Sequence, residues 1–397
     1  MADTADIVVI GGGCHGTSIA WQLARRGAGK VVLLEKSGIA SGATQWSSAN
    51  IRLHYQIETL ARMALYGREM FRNFEERVGG ESGWRNNGYV VLLPEEEIEP
   101  ARGIIEMQQR IGIDARMVSV DEIAEMLPGM SRDGVAAGCT EPDSGHADGA
   151  LTANSFAEAA RREGAELRIG PEVGQVTAIE SPGGGVRVIT SNGVIESGTV
   201  VLAGGFRSAG LLAPHGVELP ITPVRHTIAI VERVEAKGLD DSHATISDRV
   251  QLGYYRPSGP GLTLIGAHDP LEGEIDADVE TTRRPQAEPT ALLAGRFWNR
   301  FPGQAEARLR EGYTGVYDCT PDFQPALGPV QAVPGLYIAA GFSGHGFKLS
   351  PAVGHLMADW ILEGEPSFVD LSMFNVERFG RGELIESGGG YESRTLA

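Results

Sequence analysis

The chain has 397 residues, of which 42% are hydrophobic, and a formal net charge of −18. This length allows one large or two medium domains, and the acidic balance argues against nucleic acids and anionic membranes as main partners. Three scattered cysteines are too few for a disulfide framework or a zinc site, so we expect no metal. The polar N-terminus lacks signal-peptide features, and no apolar run reaches the roughly 20 residues of a membrane span. We therefore expect a cytoplasmic protein.

A nucleotide-binding pattern opens the chain. The apolar run 7–10 predicts a buried strand, and GGGCHG follows with glycines at 11, 13 and 16 in G-x-G-x-x-G spacing. Residues 17–26 have helical periodicity, and a second apolar strand, 31–34, ends in Glu35. Such glycines let the backbone approach a pyrophosphate, while the acid accepts a hydrogen bond from a ribose hydroxyl. The pattern predicts a dinucleotide site; the alternative is a glycine turn between packed elements, with Glu35 a solvated strand end.

The next segment favours FAD over a nicotinamide cofactor. Residues 37–52, SGIASGATQWSSANIR, are rich in small and hydroxyl side chains and have no clear helical period. A nicotinamide enzyme normally continues with regular alternation of strands and helices. An irregular, hydroxyl-rich segment can instead lie along an extended ligand and donate hydrogen bonds to it.

The remaining elements alternate between helical and strand-rich stretches. Helices are predicted over 58–79, 95–111 and 148–162, and strands over 88–93, within 166–192, over 200–205, within 217–270 and over 335–340. The last strand leads into GFSGHGFKLSP, where Ser350 and Pro351 are expected to act as the cap and first residue of a helix. Residues 386–397 are expected to form a tail.

This order predicts an α/β (α+β) fold with a Rossmann-like FAD-binding domain and a mainly antiparallel-sheet substrate domain. The cleft between the two domains is the expected active site. The FAD-binding domain is assigned to 1–85, 147–216 and 325–368, the substrate domain to 86–146 and 217–324, and a C-terminal segment to 369–397.

Four segments together resemble the D-amino-acid-oxidase-type flavoenzymes, in the branch of sarcosine oxidase and its β-subunit-like relatives. They are the glycine motif with Glu35, ASGAT…IR (40–52), GVYDCTPDFQPALGP (315–329) and GFSGHGFKLSPAVG (341–354). The resemblance covers nearly the whole chain. It implies an FAD-dependent oxidase or dehydrogenase that transfers hydride from a small amino acid amine to flavin N5, giving an imine that hydrolyses.

The resemblance also implies roles for particular residues. Arg52 and Lys348 match an arginine and a lysine that face the substrate carboxylate, and a guanidinium fork with an ammonium suits that group. The alternatives are a solvated Lys348 and an Arg52 paired with an acid at the domain boundary. Because a protonated amine must lose a proton before hydride transfer, His268 and Tyr254 are candidate proton acceptors.

Residues expected to contact FAD lie in the glycine turn, at the end of the second strand, in the hydroxyl-rich segment and in the later glycine turns. They are Gly11, Gly13, Cys14, His15, Gly16, Glu35, Lys36, Ser41, Thr44, Val173, Gly204, Gly341, Gly344, His345, Gly346, Phe347 and Lys348. We expect His345 to be a structural donor beside the flavin and Trp46 to pack.

Three departures from the family pattern matter. Gly315 stands where the monomeric oxidases carry a flavin-linked cysteine, with Cys319 four residues later. In the dehydrogenase branch a histidine after T-W carries the flavin, but no histidine follows Thr44 here. We therefore expect non-covalent FAD. Thr263 falls where those oxidases carry a lysine that assists the reaction with oxygen, so the electron acceptor is either O₂ or another acceptor.

Three functions remain open from the sequence. The first is oxidation of a small carboxylate-bearing amine: sarcosine, another N-methyl amino acid, or a cyclic imino acid such as proline. The second is a 2-hydroxyacid dehydrogenase on the same fold. The third is an FAD-carrying subunit of a hetero-oligomeric amino-acid dehydrogenase, with a second subunit.

Overall fold

A computed structural model describes residues 3–234, 238–269 and 284–386. The strands in these ranges are β1 (Asp3–Ile10), β2 (Val31–Glu35), β3 (Asn50–Ile51), β4 (Tyr89–Leu93), β5 (Arg116–Val118), β6 (Ala137–Glu141), β7 (Gly145–His146), β8 (Glu166–Ile169), β9 (Val176–Glu180), β10 (Val186–Thr190), β11 (Gly193–Leu202), β12 (Thr222–Glu232), β13 (Thr245–Asp248), β14 (Gly253–Pro257), β15 (Leu262–Ala267), β16 (Arg308–Leu309), β17 (Tyr313–Cys319), β18 (Ala326–Pro329) and β19 (Leu336–Ala340). The helices are α1 (Cys14–Arg25), α2 (Glu58–Arg72), α3 (Phe74–Val78), α4 (Ile98–Arg110), α5 (Val120–Met126), α6 (Gly149–Arg162), α7 (Ser208–Leu212), α8 (Ala287–Arg300), α9 (Ser350–Glu363) and α10 (Glu377–Arg381).

The first large sheet is mainly parallel. Its order is β18-β19-β11-β1-β2-β8, with β10 paired to β11 and β9 to β10. The central strands β1 and β2 are apolar and buried on both faces, as expected for parallel strands. One face packs against α1, α6 and α9. The other face is covered by β9, β10 and α7.

The second large sheet is mainly antiparallel and lies beside the first. Its order is β16-β12-β15-β14-β13-β4-β6-β5, with β17 also paired to β12; one pair, β13 with β4, is parallel. One face packs on α8 through Tyr255, Phe297 and Phe301. The opposite face carries Tyr254, because side chains alternate between the two faces of a strand.

Several predicted element boundaries are wrong. Helix α1 begins at Cys14, three residues before the predicted start, with Gly13 as its N-cap. The helix predicted over 58–79 is interrupted at Asn73, whose side chain donates to the carbonyl of Glu69. Ser350 is the first residue of α9 and not its cap, because a 3₁₀ turn over Phe347–Leu349 precedes it.

The predicted fold class is confirmed: a parallel Rossmann-like sheet flanked by helices stands beside a mainly antiparallel sheet. The assignment of residue ranges to two domains stays a prediction. Of the expected tail, residues 387–397 lie outside the described part of the chain. No helix within the described ranges is long and apolar enough to cross a bilayer.

Candidate functional site

A cavity of about 320 Å³ lies at the carboxyl ends of β1, β2 and β11, where the C-terminal ends of β17 and β19 also meet. In open α/β sheets, ligands bind in the crevice outside the carboxyl ends of the strands, and the cavity lies at that position. Of the residues predicted to contact FAD, most line it: Gly11, Gly13, Cys14, His15, Glu35, Lys36, Ser41, Thr44, Gly204, Gly344, Gly346 and Phe347.

The glycine turn after β1 is closed as tightly as its spacing predicts. Gly11 has φ +112°, and a Cβ there would lie 2.3 Å from the carbonyl oxygen of Ala203. A Cβ on Gly16 would lie 1.9 Å from the carbonyl oxygen of Gly11. Both obstacles are backbone atoms, which cannot rotate away. The turn thus requires glycine, and it places the N-terminus of α1 at the cavity wall.

Glu35 is part of this turn and not a solvated strand end. One carboxylate oxygen accepts a hydrogen bond from the Gly12 N–H at 2.7 Å, and the other accepts from the Ser37 N–H at 2.8 Å. On the opposite wall, the Thr44 hydroxyl accepts from the Cys14 N–H at 3.1 Å. The strand end, the glycine turn and the hydroxyl-rich segment are therefore joined around one cavity.

Aromatic rings also line the cavity. Phe342 stacks on His15 with ring centroids 3.7 Å apart, and the His15 ring contacts the Gly346 carbonyl at 3.1 Å. Burial lowers the pKa of His15 to about 3, so the ring is neutral. A lining that combines helix N–H groups, an acid and aromatic rings fits an adenine dinucleotide that carries a flavin.

The sequence predictions missed several cavity residues, including two titratable ones on β17. Tyr317 and Asp318 of β17 line the wall. The Asp318 carboxylate accepts from the Gly341 N–H at 2.8 Å, and burial raises the pKa of Asp318 to about 6. Both residues stand within the GVYDCTPD segment that carries the family resemblance, so the segment was recognised but these members of it were not assigned.

Five residues predicted to contact FAD do not line the cavity. Four of them are Gly16, Gly341, His345 and Lys348, whose contact with FAD stays a prediction. Val173 is the fifth: it is 37% exposed in the turn after β8, and its neighbours Gly174 and Val176 line the cavity. Its contact with FAD stays a prediction.

The position of the absent flavin-linked cysteine is filled by another side chain. A Cβ on Gly315 would lie 2.9 Å from the Cβ of Trp46, and Trp46 packs against Tyr313 with ring centroids 5.6 Å apart. Cys319 is buried at the C-terminal end of β17, beside Val224. Trp46 thus packs as expected, in the space that a side chain at 315 would need.

We accordingly expect bound FAD to be released completely when the purified protein is denatured with acid. Gly315 has no thiol, and no histidine follows Thr44. The measurement is flavin fluorescence of the denatured chain on a gel, compared with the flavin in the supernatant. Fluorescence that migrates with the polypeptide would contradict this expectation.

Two buried cations meet at one tyrosine. Arg52 is 7% exposed and Lys348 is 3% exposed. The Arg52 guanidinium lies 4.6 Å from the ring centroid of Tyr55, and the Lys348 ammonium lies 5.7 Å from the same ring. Lys348 and the Tyr55 hydroxyl both donate to the His345 carbonyl, at 3.3 and 3.0 Å. The alternative of a solvated Lys348 is therefore wrong.

His345 holds the turn beneath these cations. Its Nε2 contacts the Phe323 carbonyl at 2.8 Å. Burial, followed by the charge of Lys348, lowers its pKa to about 3. A neutral ring that bonds a backbone carbonyl has the geometry of a structural donor.

His268 and Tyr254 lie together on the face of the second sheet that carries Tyr254. Their ring centroids are 5.8 Å apart, and His268 Nε2 contacts the Ser247 hydroxyl at 3.1 Å. The Tyr254 ring lies across Gly266 of the neighbouring strand, where a Cβ would be 2.1 Å from the phenol carbon. Neither His268 nor Tyr254 lines the cavity.

Burial governs the protonation of both side chains. It lowers the pKa of His268 well below the usual value, with further contributions from Arg249 and Arg52. Burial raises the pKa of Tyr254.

The effect of Thr263 on oxygen reactivity stays a prediction, and the structure adds the direction of its side chain. The Thr263 hydroxyl contacts Arg233 at 2.9 Å and His243 at 3.2 Å, on the α8 side of the sheet. Its neighbour Leu264 packs against Tyr254 and Ile228 instead. Because side chains alternate along a strand, Leu264 lies on the sheet face that carries Tyr254. Leu264 is not a lysine either.

Comparisons with known proteins agree with this site. The family model described as FAD-dependent oxidoreductase, DAO, matches residues 6–360. Mitochondrial dimethylglycine dehydrogenase of Rattus norvegicus is 27% identical over 96% of this chain and 45% of its own length. L-proline dehydrogenase from P. horikoshii is 28% identical, with a TM-score of 0.87 over 97% of this chain and 100% of that one. Glycine oxidase from Geobacillus kaustophilus is 26% identical, with a TM-score of 0.82 over 95% and 99%. The chain belongs to the DAO family of FAD-dependent oxidoreductases.

Proposed function

We propose that this chain oxidises the amine of a small amino acid, such as sarcosine, another N-methyl amino acid or proline. The observation that carries the proposal is the meeting of Arg52 and Lys348, both buried, at the ring of Tyr55. The chain spans less than half the length of the curated dehydrogenase above, so the substrate and any second subunit are argued from this chain's own residues.

A carboxylate is the ligand that best suits this cation pair. Burying two positive charges is costly unless an anion or hydrogen bonds compensate for it. The guanidinium can hold a carboxylate by two parallel hydrogen bonds, and the ammonium adds a compact charge. Tyr55 keeps the two cations apart and oriented, because its ring contacts both of them. A substrate held by its carboxylate would present its amine in a fixed direction.

The protonation states of His268 and Tyr254 favour hydrogen bonding to the substrate amine. Since the pKa of His268 is lowered well below its usual value, the ring is neutral near pH 7 and can accept a hydrogen bond from the amine, but it is too weak a base to hold the amine's proton. Tyr254 has a raised pKa and keeps its own proton, so it acts as a donor that orients the substrate and not as the base. FAD, when bound, supplies the hydride acceptor.

We expect the reduced enzyme to react slowly with O₂ and faster with an artificial dye. The strand predicted to carry the oxygen-activating lysine presents Leu264 beside Tyr254, and Thr263 on its other face. The measurement compares the oxidation rates of pre-reduced enzyme in air-saturated buffer and with an anaerobic dye. Rapid, stoichiometric peroxide formation in air would overturn this expectation.

A dye-coupled substrate panel tests the proposed function. Amino acids, their N-methyl derivatives, cyclic imino acids and the matching 2-hydroxyacids are compared at equal concentration. The proposal predicts turnover with an amino or imino acid well above that with its hydroxy analogue. Preference for the hydroxyacid would replace it with the alternative of a 2-hydroxyacid dehydrogenase.

A further inference from the structure

The backbone on both sides of Arg52 is held by the segment that runs from the end of β6 through β7 to Ala147. Strand β3 pairs with β7, with Ile51 opposite Gly145, and the Ala147 N–H donates to the Ala49 carbonyl at 3.0 Å. This two-residue ladder ends immediately before Arg52. Immediately after Arg52, the Leu53 N–H donates a hydrogen bond to a side chain of the β6–β7 segment.

That side chain is Glu141, the last residue of β6. It is 1% exposed, and its Oε2 accepts from the Leu53 N–H at 2.8 Å and from the Ser144 hydroxyl at 2.7 Å. Its Oε1 accepts from the Gln108 side-chain amide at 2.6 Å. Two donors, Gln108 on α4 and Ser144 in the turn after β6, thus hold the Glu141 carboxylate. The carboxylate in turn accepts from the Leu53 N–H.

We infer that Glu141 is a positioning residue for substrate binding: it fixes Arg52 between the β3–β7 ladder and the Leu53 hydrogen bond. The inference rests on the proposed function, because it assigns Arg52 to the substrate carboxylate. Glu141 belongs to the second sheet, which also carries Tyr254 and His268. The carboxylate therefore sets the position of the anchor relative to the groups that would face the amine.

Two conservative substitutions at position 141 show whether the position of the carboxylate or its negative charge matters. Glu141→Gln keeps the side-chain length and an oxygen for Leu53. The Gln108 Oε1, which has no hydrogen-bond partner among the described residues, can accept from the new amide once the Gln108 amide rotates. Glu141→Asp keeps the charge but withdraws the carboxylate by one methylene. A positioning role predicts that Asp is the more damaging change, and an electrostatic role predicts the reverse.

Kinetics are measured with sarcosine and L-proline and with their amides. We expect Glu141→Asp to raise KM for the acids roughly tenfold with little change in kcat, and Glu141→Gln to stay within about threefold of wild type. The amides should respond to neither change. The control is Asp359→Asn, which alters a carboxylate that is equally buried but is held by Arg26 and the Ser367 N–H. FAD affinity and the thermal midpoint are recorded for each variant.

Hydrogen exchange gives a readout that needs no turnover. The peptide covering residues 50–56 should exchange faster in Glu141→Asp than in Glu141→Gln or wild type, because the Leu53 N–H has lost its acceptor. Unchanged exchange in Glu141→Asp would overturn the inference whatever the kinetics show.

A double substitution separates this inference from the proposed function. In an Arg52→Ala background, Glu141→Asp should cause no further rise in KM. If Arg52→Ala alone leaves acid binding unchanged, the proposed function fails, and the inference fails with it. If Arg52→Ala weakens acid binding but Glu141→Asp does not, or if Glu141→Gln is the worse of the two changes, only the inference fails.

Discussion

Replacing Arg52 with alanine is expected to lower kcat/KM for the acid substrate by about 30- to 1000-fold, which corresponds to roughly 2–4 kcal/mol. The reason is that a buried carboxylate loses the guanidinium that pairs with it, in a site where water does not replace the lost bonds. The kcat/KM of Arg52→Lys should lie between those of wild type and Arg52→Ala, because an ammonium retains the charge but not the two-bond geometry. Lys348→Ala should cost as much as Arg52→Ala or less. The matching amide should lose far less in each variant.

The Arg52 experiment needs two checks, since Arg52 also donates to the His54 carbonyl and lies over Tyr55. FAD content and thermal midpoint show whether the fold survives. Arg62→Ala, which removes an exposed arginine of α2 paired with Glu58, is the matched control for loss of a cation. If Arg52→Ala discriminated between acid and amide as well as wild type does, the anchor assignment would be wrong.

Gly16→Ala is expected to abolish useful FAD binding, with a loss of affinity of at least about 100-fold. The added Cβ would lie 1.9 Å from the Gly11 carbonyl oxygen. Helix α1 and the turn would have to separate, and overpacking of this kind costs typically 1–3 kcal/mol of stability as well. The cavity wall formed by Gly11, Gly13 and Cys14 would then move with the turn. Fluorescence titration of the apoprotein with FAD measures the loss.

Gly38→Ala is the matched control for Gly16→Ala. A Cβ on Gly38 would meet no heavy atom within 4 Å, and the residue does not line the cavity. The Gly38→Ala variant should bind FAD with the affinity of the wild-type protein. Wild-type FAD affinity in Gly16→Ala would show that the turn can relax, and the close approach of α1 to β1 would then not be a requirement of the site.

The cofactor end of the site was predictable because its signal is local. The spacing of glycines 11, 13 and 16, the strand before them and Glu35 after them all lie within one short stretch, and Gly11, Gly13 and Glu35 line one cavity in the structure. Glu35 accepts from the turn's own backbone, a contact that the pattern does not announce. The start of α1 was misplaced because glycine at position 13 caps the helix in the middle of the motif.

The cation pair that we propose binds the substrate was predictable only through the family resemblance. Arg52 and Lys348 are nearly 300 residues apart in the chain, and nothing local to either one indicates that Tyr55 brings them together. The direction of the Thr263 side chain was not predictable, because the run GLTLIGAH is apolar on both sides and does not fix which residues face which way. Glu141 was missed because its partners Leu53 and Gln108 are distant in sequence.

Anaerobic reduction of the wild-type holoenzyme tests the central claim most directly. The FAD-loaded protein is mixed without oxygen with sarcosine or L-proline, and separately with the amide of each, while the flavin absorbance is followed. The account predicts full bleaching by at least one of the acids at concentrations where its amide bleaches little, and an imine-derived product in an amount equal to the flavin. Bleaching by neither acid, or equal bleaching by acid and amide, would contradict it.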